Sequence, residues 1–429
     1  MQLYNTLTRR LEELPPPPGP IRMYVCGPTV YQRAHVGNAR PFVIFSWLRN
    51  YLRFRGYEVV YVHNITDVND SIYEAAPGKS AELAECATAW YLEDIGDFGL
   101  GLPDHMPRAT ETMDEIISMI ERLIESGYAY AVEGDVYFRV SRDADYGRLS
   151  GQRPEEMSEQ EPNPLKEDPR DFALWKANKP GEDTWWDSPW GRGRPGWHIE
   201  CSAMAEKLLG PRFELHGAGL DIVFPHNENE LAQSRALGSE FAHIWMHNGM
   251  LRFVGEKMSK SLGNVLTIRE ALDTWGRETI LLFLMTGHWR KPIDLSGETL
   301  NQARSQVETF RNAFLEAGGD AGAPQRERLM LALEDDFNTP EALALFHEWR
   351  TEGEYESLRF GLELFGLGSL AEQAVAPGEL LGLAKRRQEA RARGDFDEAD
   401  QIRSEVEAAG WEVRDVNEPP GFRLVPKSS

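Results

Sequence analysis

Cysteine, basic charge and long apolar runs are all scarce in this chain. Its 429 residues include only three cysteines, too few for a disulfide framework, so we expect reduced thiols in a cytoplasmic protein, some of them metal ligands. Lysine and arginine number 46 against 69 acidic residues, and the resulting net charge of −23 argues against non-specific binding to nucleic acid or membrane. A local basic surface for RNA is still compatible with it. The longest apolar run, residues 280–285, is too short to span a bilayer, and the first residues lack a signal-peptide pattern.

The opening segment predicts a strand, a helix and a second strand. Residues 21–26 are apolar except for Arg22, Pro41 suits the first turn of a helix, Gly56 suits its C-cap, and residues 58–65 are nearly all apolar or β-branched. Such a unit belongs to a parallel sheet, whose ligands bind at the carboxyl ends of the strands. Cys26, His35 and residues 64–67 fall at that edge.

Later segments change character. Residues 168–195 are rich in tryptophan, proline and glycine, which predicts an irregular insertion anchored by its aromatic rings. Amphipathic patterns predict helices over 300–315, 326–333, 341–350, 379–392 and 396–409, followed by strands near 411–414 and 421–425. Two stretches read as linkers, residues 15–20 and 318–324.

Two short strings carry phosphate chemistry. His35-Val36-Gly37-Asn38 stands between a strand and its helix, where free N–H groups and the helix dipole favour phosphate, and where Gly37 allows close backbone approach. Taken alone it also fits a histidine in a polar turn. Lys257-Met258-Ser259-Lys260-Ser261 is more specific, because two lysines flanking small hydroxyl residues suit a leaving pyrophosphate; a solvated charge pair is the alternative. Together and in this order, the strings resemble the HIGH and KMSKS elements of class I aminoacyl-tRNA synthetases, with Asn38 in place of the final histidine.

A third set consists of possible metal ligands. Cys26 ends the first strand, Cys201 lies in a GWHIECSAM string, and His226 and Glu230 are spaced to share one helix face. Two thiolates, an imidazole and a carboxylate suit tetrahedral zinc. The spacing is not that of a zinc finger, so buried structural cysteines remain the alternative on spacing alone.

Longer strings resemble the cysteinyl-tRNA synthetase family. They are residues 5–9 (NTLTR), 23–31 (MYVCGPTVY), 64–70 (NITDVND), 196–204 (GWHIECSAM), 221–230 (DIVFPHNENE) and 336–340 (DFNTP), and the resemblance runs over nearly the whole chain. It implies an α/β fold: a Rossmann-like parallel-sheet catalytic domain with an inserted connective region, then a helical bundle and a small C-terminal α+β module. The implied boundaries are 1–106 and 196–245 for the two catalytic halves, 107–195 for the insertion, 246–300 for a stem-contact region, 301–375 for the bundle and 376–429 for the anticodon-binding module.

The resemblance also implies the site and its ligands. One Zn²⁺ would be held by Cys26, Cys201, His226 and Glu230, and Mg²⁺ would accompany ATP. His35, Asn38, Lys257 and Lys260 would be catalytic, and substrate contacts would come from Thr29, Gly37, Trp197, His198, Asp221, Met258, Ser259 and Ser261. The implied partners are ATP, L-cysteine and tRNA(Cys), for a protein that is a monomer and binds no membrane. Candidates for anticodon contact are Arg387, Arg391, Asp415 and Phe422.

Departures from the family pattern are few. Asn227 replaces a second histidine, Asn69 and Ser71 replace an aspartate and a lysine, and Cys86 matches no ligand and is expected to pack internally. Two other functions stay open: a cysteine ligase that passes activated cysteine to an amino sugar in mycothiol synthesis, and a non-catalytic zinc-stabilised RNA-binding paralogue. The basic segment after Lys385 favours a tRNA acceptor, and the intact His35, Lys257 and Lys260 disfavour the paralogue.

Overall fold

A four-stranded parallel sheet organises the first half of the chain. The computed structural model describes residues 1–153, 157, 161–253, 266–316, 324–372, 376–416 and 420–426. Within these residues the strands are β1 Gln2–Asn5, β2 Arg10–Glu13, β3 Pro20–Val25, β4 Glu58–His63, β5 Ala129–Val132, β6 Asp135–Phe138, β7 Phe172–Ala177, β8 Gly193–Pro195, β9 Arg212–Gly219, β10 Phe241–Asn248, β11 Leu251–Phe253, β12 Ile293–Leu295, β13 Trp411–Asp415 and β14 Phe422–Pro426. The helices are α1 Val36–Phe54, α2 Asp70–Ala75, α3 Ser80–Gly96, α4 Met113–Glu125, α5 Trp197–Leu209, α6 Glu228–Ala236, α7 Ile268–Trp275, α8 Arg277–Met285, α9 Gly297–Glu316, α10 Arg326–Glu334, α11 Thr339–Glu352, α12 Tyr355–Leu364, α13 Gly378–Ala392 and α14 Phe396–Ala408.

The sheet has the order β10-β9-β3-β4, and all its neighbours pair in parallel. The chain moves outward from β3 to β4 through α1, and outward in the other direction from β9 to β10 through α6. The strand order therefore reverses between β3 and β9, which is the position where open α/β sheets bind their ligands. This arrangement is the predicted Rossmann-like catalytic domain.

Helix α1 starts earlier than its proline indicated. The expectation placed Pro41 in the first turn, whereas the helix begins at Val36 with His35 as N-cap, and Pro41 lies inside it. Proline lacks an N–H, so the helix forgoes one bond to the carbonyl four residues back. The C-terminal prediction is confirmed, because Gly56 has φ +89° just past the helix end.

The insertion between β4 and β9 has its own antiparallel sheet. Strands β5, β6, β7 and β8 pair in sequence order, and α4 packs on them with α5. The expectation of an irregular region over 168–195 is therefore wrong in part, since β7 and β8 both fall within it. Its aromatic anchors are found, however: Trp175 is fully buried and meets the Trp190 ring edge-on at 5.9 Å.

Helices α8 to α12 share a core with the sheet. One continuous apolar cluster contains Met23 of β3, Phe42 of α1, Leu282 of α8 and Phe346 of α11. Trp47 of α1 also donates from Nε1 to the Phe365 carbonyl at 2.9 Å. The helical bundle therefore packs against the parallel sheet and helix α1.

Two smaller units complete the chain. The β1–β2 hairpin is fastened to β10 by Asn5, whose amide donates to the His243 carbonyl at 2.9 Å and accepts from the Trp245 N–H at 3.1 Å. The C-terminal unit packs α13 and α14 on the antiparallel pair β13–β14 around a separate apolar cluster. None of the described helices has the length and apolarity required to cross a bilayer.

Candidate functional site

A pocket opens at the carboxyl edge of the parallel sheet, at the reversal of strand order. The segments that follow β3, β9 and β10 all contribute to its wall. Of the residues predicted for the site, those that line it are Cys26, Thr29, His35, Gly37, Asn38, Trp197 and Asp221. The fold therefore brings the predicted nucleotide segment and one predicted metal ligand into a single cavity.

The His35 segment forms the N-terminal end of α1 in this pocket. His35 is the N-cap with extended backbone angles (φ −79°, ψ 158°), and the Asn38 N–H donates to its carbonyl at 2.8 Å. A Cβ on Gly37 would lie 2.8 Å from the His35 ring, so only glycine leaves that ring in place. The first-turn amides and the positive helix end face the cavity, as an anion site requires. The predicted Lys257, Met258, Ser259, Lys260 and Ser261 lie outside the described residues.

Four buried side chains form a cluster able to hold a metal ion beside this pocket. Cys26 follows β3, Cys201 lies on α5, His226 lies in the π-helical turn Val223–Asn227, and Glu230 lies in the first turn of α6. One ligand atom from each lies within 4.8 Å of all the others. Two ligands that are each about 2.3 Å from a tetrahedral zinc ion are about 3.8 Å apart, so the four atoms need to close by about 1 Å at most to share one ion.

Glu230 is the centre of the polar contacts in this cluster. Its carboxylate lies 2.7 Å from His226 Nε2 and 2.6 Å from His216 Nε2. Asn227 donates to Glu230 Oε1 at 3.1 Å and to Cys26 Sγ at 3.4 Å. These partners orient the ligands, a role that usually falls to the groups around a metal site. Asn227, where the family often has a histidine, therefore still serves the cluster, because its side-chain amide donates hydrogen bonds to both Cys26 and Glu230.

The electrostatics of the cluster favour ionised ligands. Burial opposes ionisation of Glu230, but the imidazoles of His216 and His226 outweigh it and hold the pKa of its carboxyl well below the ordinary value. Burial also opposes ionisation of Cys201, yet the Cys26 hydrogen bond and the His226 charge lower its pKa to about 6. Burial and the hydrogen bond with Cys201 raise the pKa of the Cys26 thiol. Cys201 therefore ionises more readily than Cys26, and binding of a metal ion would displace the proton that remains on Cys26.

Aromatic rings surround the imidazole ligand. The Trp197 ring centre lies 4.4 Å from that of His226, and His198 Nδ1 lies 3.1 Å from His226 Nδ1. Burial and then the neighbouring His226 charge lower the pKa of His198, which keeps it neutral. His198 contacts the candidate metal ligand His226 and lines a separate cavity, whereas Trp197 also lines the main pocket.

Several pocket residues carried no sequence signal. His63 ends β4 and Tyr91 lies on α3, and His63 Nε2 is 2.7 Å from the Tyr91 hydroxyl. Asn248 and Gly249 follow from β10 and form another wall. Buried Arg40 of α1 fixes that wall, since it donates to the carbonyls of four residues, namely Gly249, Met250, His288 and Lys291. His63 and Arg40 lie inside regular elements, and their partners are distant in the sequence, so their place at the pocket could be found only from the fold.

The departures in the 69–71 segment also have a structural place. Asn69 is the N-cap of α2, and its side chain accepts from the Ser71 N–H at 3.1 Å. Asp70 between them binds Lys176 at 3.0 Å and pairs with Arg194, both on the inserted sheet. This segment therefore fastens the insertion to the catalytic sheet.

Cys86 does not pack internally as expected. It lies exposed on α3, on the face opposite the buried residues Ala84 and Ala87. A cysteine at this position has no ligand partner among the described residues, and the helix simply presents it to solvent.

The anticodon candidates are mostly engaged within their own module. Arg387 is buried and donates to Asp415 at 2.8 Å, and Arg391 pairs with the same carboxylate. The Arg387 hydrogen bond lowers the pKa of Asp415. Phe422 is only 7% exposed and packs in the module core. In this structure the Phe422 ring therefore packs inward, and its contact with an anticodon stays a prediction.

Comparisons with known proteins agree with the geometry. Residues 15–305 match the family described as tRNA synthetases class I (C) catalytic domain, and residues 377–419 match the Cysteinyl-tRNA ligase anticodon binding domain. The cysteine–tRNA ligase of Halorhodospira halophila is 43% identical over 459 residues and covers 99% of each chain. That of Chromohalobacter salexigens is 45% identical over 450 residues and covers 97% of each.

Solved structures support the fold. Methionyl-tRNA synthetase of Mycobacterium tuberculosis, in complex with methionyl-adenylate, gives a TM-score of 0.55 at 15% identity and covers 90% of this chain and 87% of that one. A LeuRS–tRNA–LeuAMS complex from Agrobacterium radiobacter K84 gives 0.58 at 11% identity, with 84% and 86% covered. Together with the family match over residues 15–305, the fold defines a class I aminoacyl-tRNA synthetase. Given full-length identity of this size to ligases of one specificity, the chain belongs to the cysteine–tRNA ligase family.

Proposed function

We propose that this protein activates L-cysteine with ATP and transfers it to tRNA(Cys). The observation that carries the proposal is that Cys26, a member of the metal cluster, lines the same pocket as the His35 segment. A sulfur-binding group and a phosphate-binding helix end then face one substrate. The carboxylate of cysteine attacks the α-phosphate of ATP in line and displaces pyrophosphate. A terminal ribose hydroxyl of the tRNA then attacks the carbonyl carbon of the adenylate and displaces AMP.

The metal is zinc in this proposal, held by Cys26, Cys201, His226 and Glu230. Two sulfurs, a nitrogen and an oxygen, all buried, match its preferred donors and its four-coordinate geometry. When bound, it supplies a soft acceptor for the substrate thiolate that a serine hydroxyl cannot satisfy. Shape alone would separate these two amino acids by only ~1–3 kcal/mol, or roughly 10- to 200-fold.

The chain's own residues position the reacting groups. His35 and Asn38 stabilise the phosphate during attack, with the α1 amides behind them. Asn38 acts by hydrogen bonding only, because an amide does not transfer protons at neutral pH. Thr29 and Trp197 contact the substrate, and exposed Asp221 binds its amino group or the ribose. Mg²⁺ would accompany the phosphates of ATP and offset their charge, and Lys257 and Lys260 would hold the departing pyrophosphate.

The acceptor is tRNA rather than an amino sugar. Support comes from the match of residues 377–419 to an anticodon-binding family, since a small-molecule acceptor requires no such module. The insertion over 107–195 lies near the acceptor end, the 246–300 region and the 301–375 bundle follow the stem, and 376–429 reads the anticodon. The enzyme acts as a monomer.

Pyrophosphate exchange with cysteine and with serine tests the activation step. Purified protein is expected to exchange with cysteine and to contain one zinc per chain. Glu230→Gln, which removes a ligand charge, is expected to lower the zinc content and the preference for cysteine. Glu240→Gln, at an exposed carboxylate, serves as the matched control. Equal exchange with serine and cysteine by the unaltered protein would refute the proposed selection.

Adding an acceptor tests the second step. With tRNA present, radiolabelled cysteine should become acid-precipitable; with an amino sugar it should remain soluble. Consumption of the amino sugar instead would identify the mycothiol-type ligase, and absence of exchange altogether would identify a binding protein.

A further inference from the structure

Two backbone segments meet beside the pocket. The Val36 N–H donates to the Leu266 carbonyl at 2.9 Å, and the Ile268 N–H donates to the Ala34 carbonyl at 2.9 Å. His35 and Thr267 thereby face each other as an antiparallel bridge. The N-terminal ends of α1 and α7 are thus joined at the residue expected to contact phosphate, although they are far apart in the chain.

A single buried carboxylate on α3 links the same two segments from one side. Asp94 Oδ1 accepts from Arg33 NH1 at 2.7 Å and from Arg269 Nε at 3.0 Å. Arg33 stands two residues before His35, and Arg269 stands two residues after Thr267. The contact therefore repeats, through side chains, the connection that the backbone bridge makes.

Burial distinguishes Asp94 from the acidic groups around it. Its side chain is 0% exposed, whereas that of Glu93, which reaches the same two arginines at 3.3 and 4.0 Å, is 58% exposed. Asp97 contacts Arg269 alone at 2.8 Å and is 53% exposed. Water screens exposed pairs and leaves them weak, so the buried carboxylate is the one able to fix both arginines.

We infer that Asp94 is a positioning residue for the adenylation step, holding the His35 segment against the 266–269 segment. The inference rests on the proposed function. Asp94 touches no substrate; it acts through Arg33 and Arg269 on the place that His35 occupies. A displacement of about 1 Å at a reacting group is enough to slow a reaction on the order of 100-fold.

The test compares Asp94→Asn with Glu93→Gln in the full-length, zinc-loaded protein. Both replace a carboxylate by its amide beside the same two arginines, but only the first does so in the buried position. We expect Asp94→Asn to lower kcat of cysteine-dependent pyrophosphate exchange 10- to 100-fold and to change KM for cysteine less than twofold, because the metal cluster is not involved. Glu93→Gln should stay within twofold of the parent.

Active-site titration by adenylate burst separates positioning from folding. A purely structural role would lower the number of active sites and leave the rate per site intact, whereas positioning lowers the rate at full site count. Arg33→Gln, at a side chain 31% exposed, gives the same comparison if Asp94→Asn folds poorly. The double variant should be no slower than the slower single variant, since both remove one link.

The outcomes are separable from the proposed function. Absence of exchange in the parent protein would overturn that function. An active parent with Asp94→Asn and Arg33→Gln at parental rates per site would overturn the role of Asp94 alone.

Discussion

Gly27→Ala adds a single methyl group and is expected to lower the activity of the enzyme strongly. Gly27 directly follows the ligand Cys26, and its N–H donates to the Asn64 side chain at 2.8 Å. A Cβ at this position would lie 1.6 Å from the Asn64 carbonyl oxygen and 2.8 Å from its carbon. Both obstructing atoms are backbone, so no side chain can rotate away, and the β3 and β4 ends must separate by more than an ångström.

The size of the effect follows from that displacement. Overpacking of this kind costs about 1–3 kcal/mol, and the rigid carbonyl favours the upper end. The shift moves Cys26, so zinc binding weakens, and a misplacement of about 1 Å lowers the rate on the order of 100-fold. Gly19→Ala is the matched control, because Gly19 precedes the other end of β3 and its Cβ would meet nothing nearer than 3.9 Å.

Three measurements on both variants decide the matter: pyrophosphate exchange per titrated site, zinc per chain by elemental analysis, and the melting temperature. Gly19→Ala should match the parent in all three. If Gly27→Ala also exchanged within twofold of the parent and retained its zinc, the close approach of β3 and β4 would not set the position of Cys26.

Two further predictions concern the C-terminal module and the pH dependence of stability. Arg387→Met removes the buried partner of Asp415 and should lower the stability of the module by on the order of 1 kcal/mol. It should lower kcat/KM for tRNA and leave pyrophosphate exchange unchanged. Arg386→Met, at a side chain 61% exposed, is the control, and an equal loss of exchange in Arg387→Met would contradict the separation of the modules. Burial lowers the pKa of His63 to about 4. Between about pH 6.5 and pH 4 the unfolded chain therefore binds a proton that the folded chain does not bind. The free energy of unfolding should decrease by up to about 3 kcal/mol as the pH is lowered through this window. Melting temperatures of His63→Gln should decline less steeply over that window, and parallel curves for variant and parent would contradict this.

Local patterns in the sequence predicted most elements where one signal decides the structure. Residues 58–63 form a strand because an almost unbroken apolar run suits a strand covered on both faces. Helix α11 was predicted over 341–350 and begins two residues earlier, at Thr339, because Asn338 accepts from the Glu341 N–H at 3.2 Å and a proline fits the first turn. Helix α1 shows where a local signal fails. Pro41 indicated a start near residue 41, but the helix begins at Val36 and contains the proline.

The site was predictable by resemblance and not by spacing. Cys26 and Glu230 are 204 residues apart, and no local rule joins a strand end to a helix turn over that distance. The surrounding groups were missed for the same reason. His216 lies in the middle of β9, stacked on Trp245 at 4.2 Å, and a histidine inside an apolar strand carries no sign of the carboxylate that it contacts. Phe422, a candidate for anticodon contact by resemblance, lies in the core of its module, and the residues around it in the sequence carry no sign of that packing.

The strand order also bears on how the protein is made. β3 lies between β4, formed early, and β9, which begins only at Arg212 after the whole insertion. At the usual pace of about 5–20 residues per second, the ribosome needs on the order of ten seconds to deliver that partner. Throughout that interval the edge of β3 that will pair with β9 is open, and an open edge of an apolar strand is prone to aggregation. The demand for chaperone protection during synthesis should therefore be concentrated on this early half of the sheet.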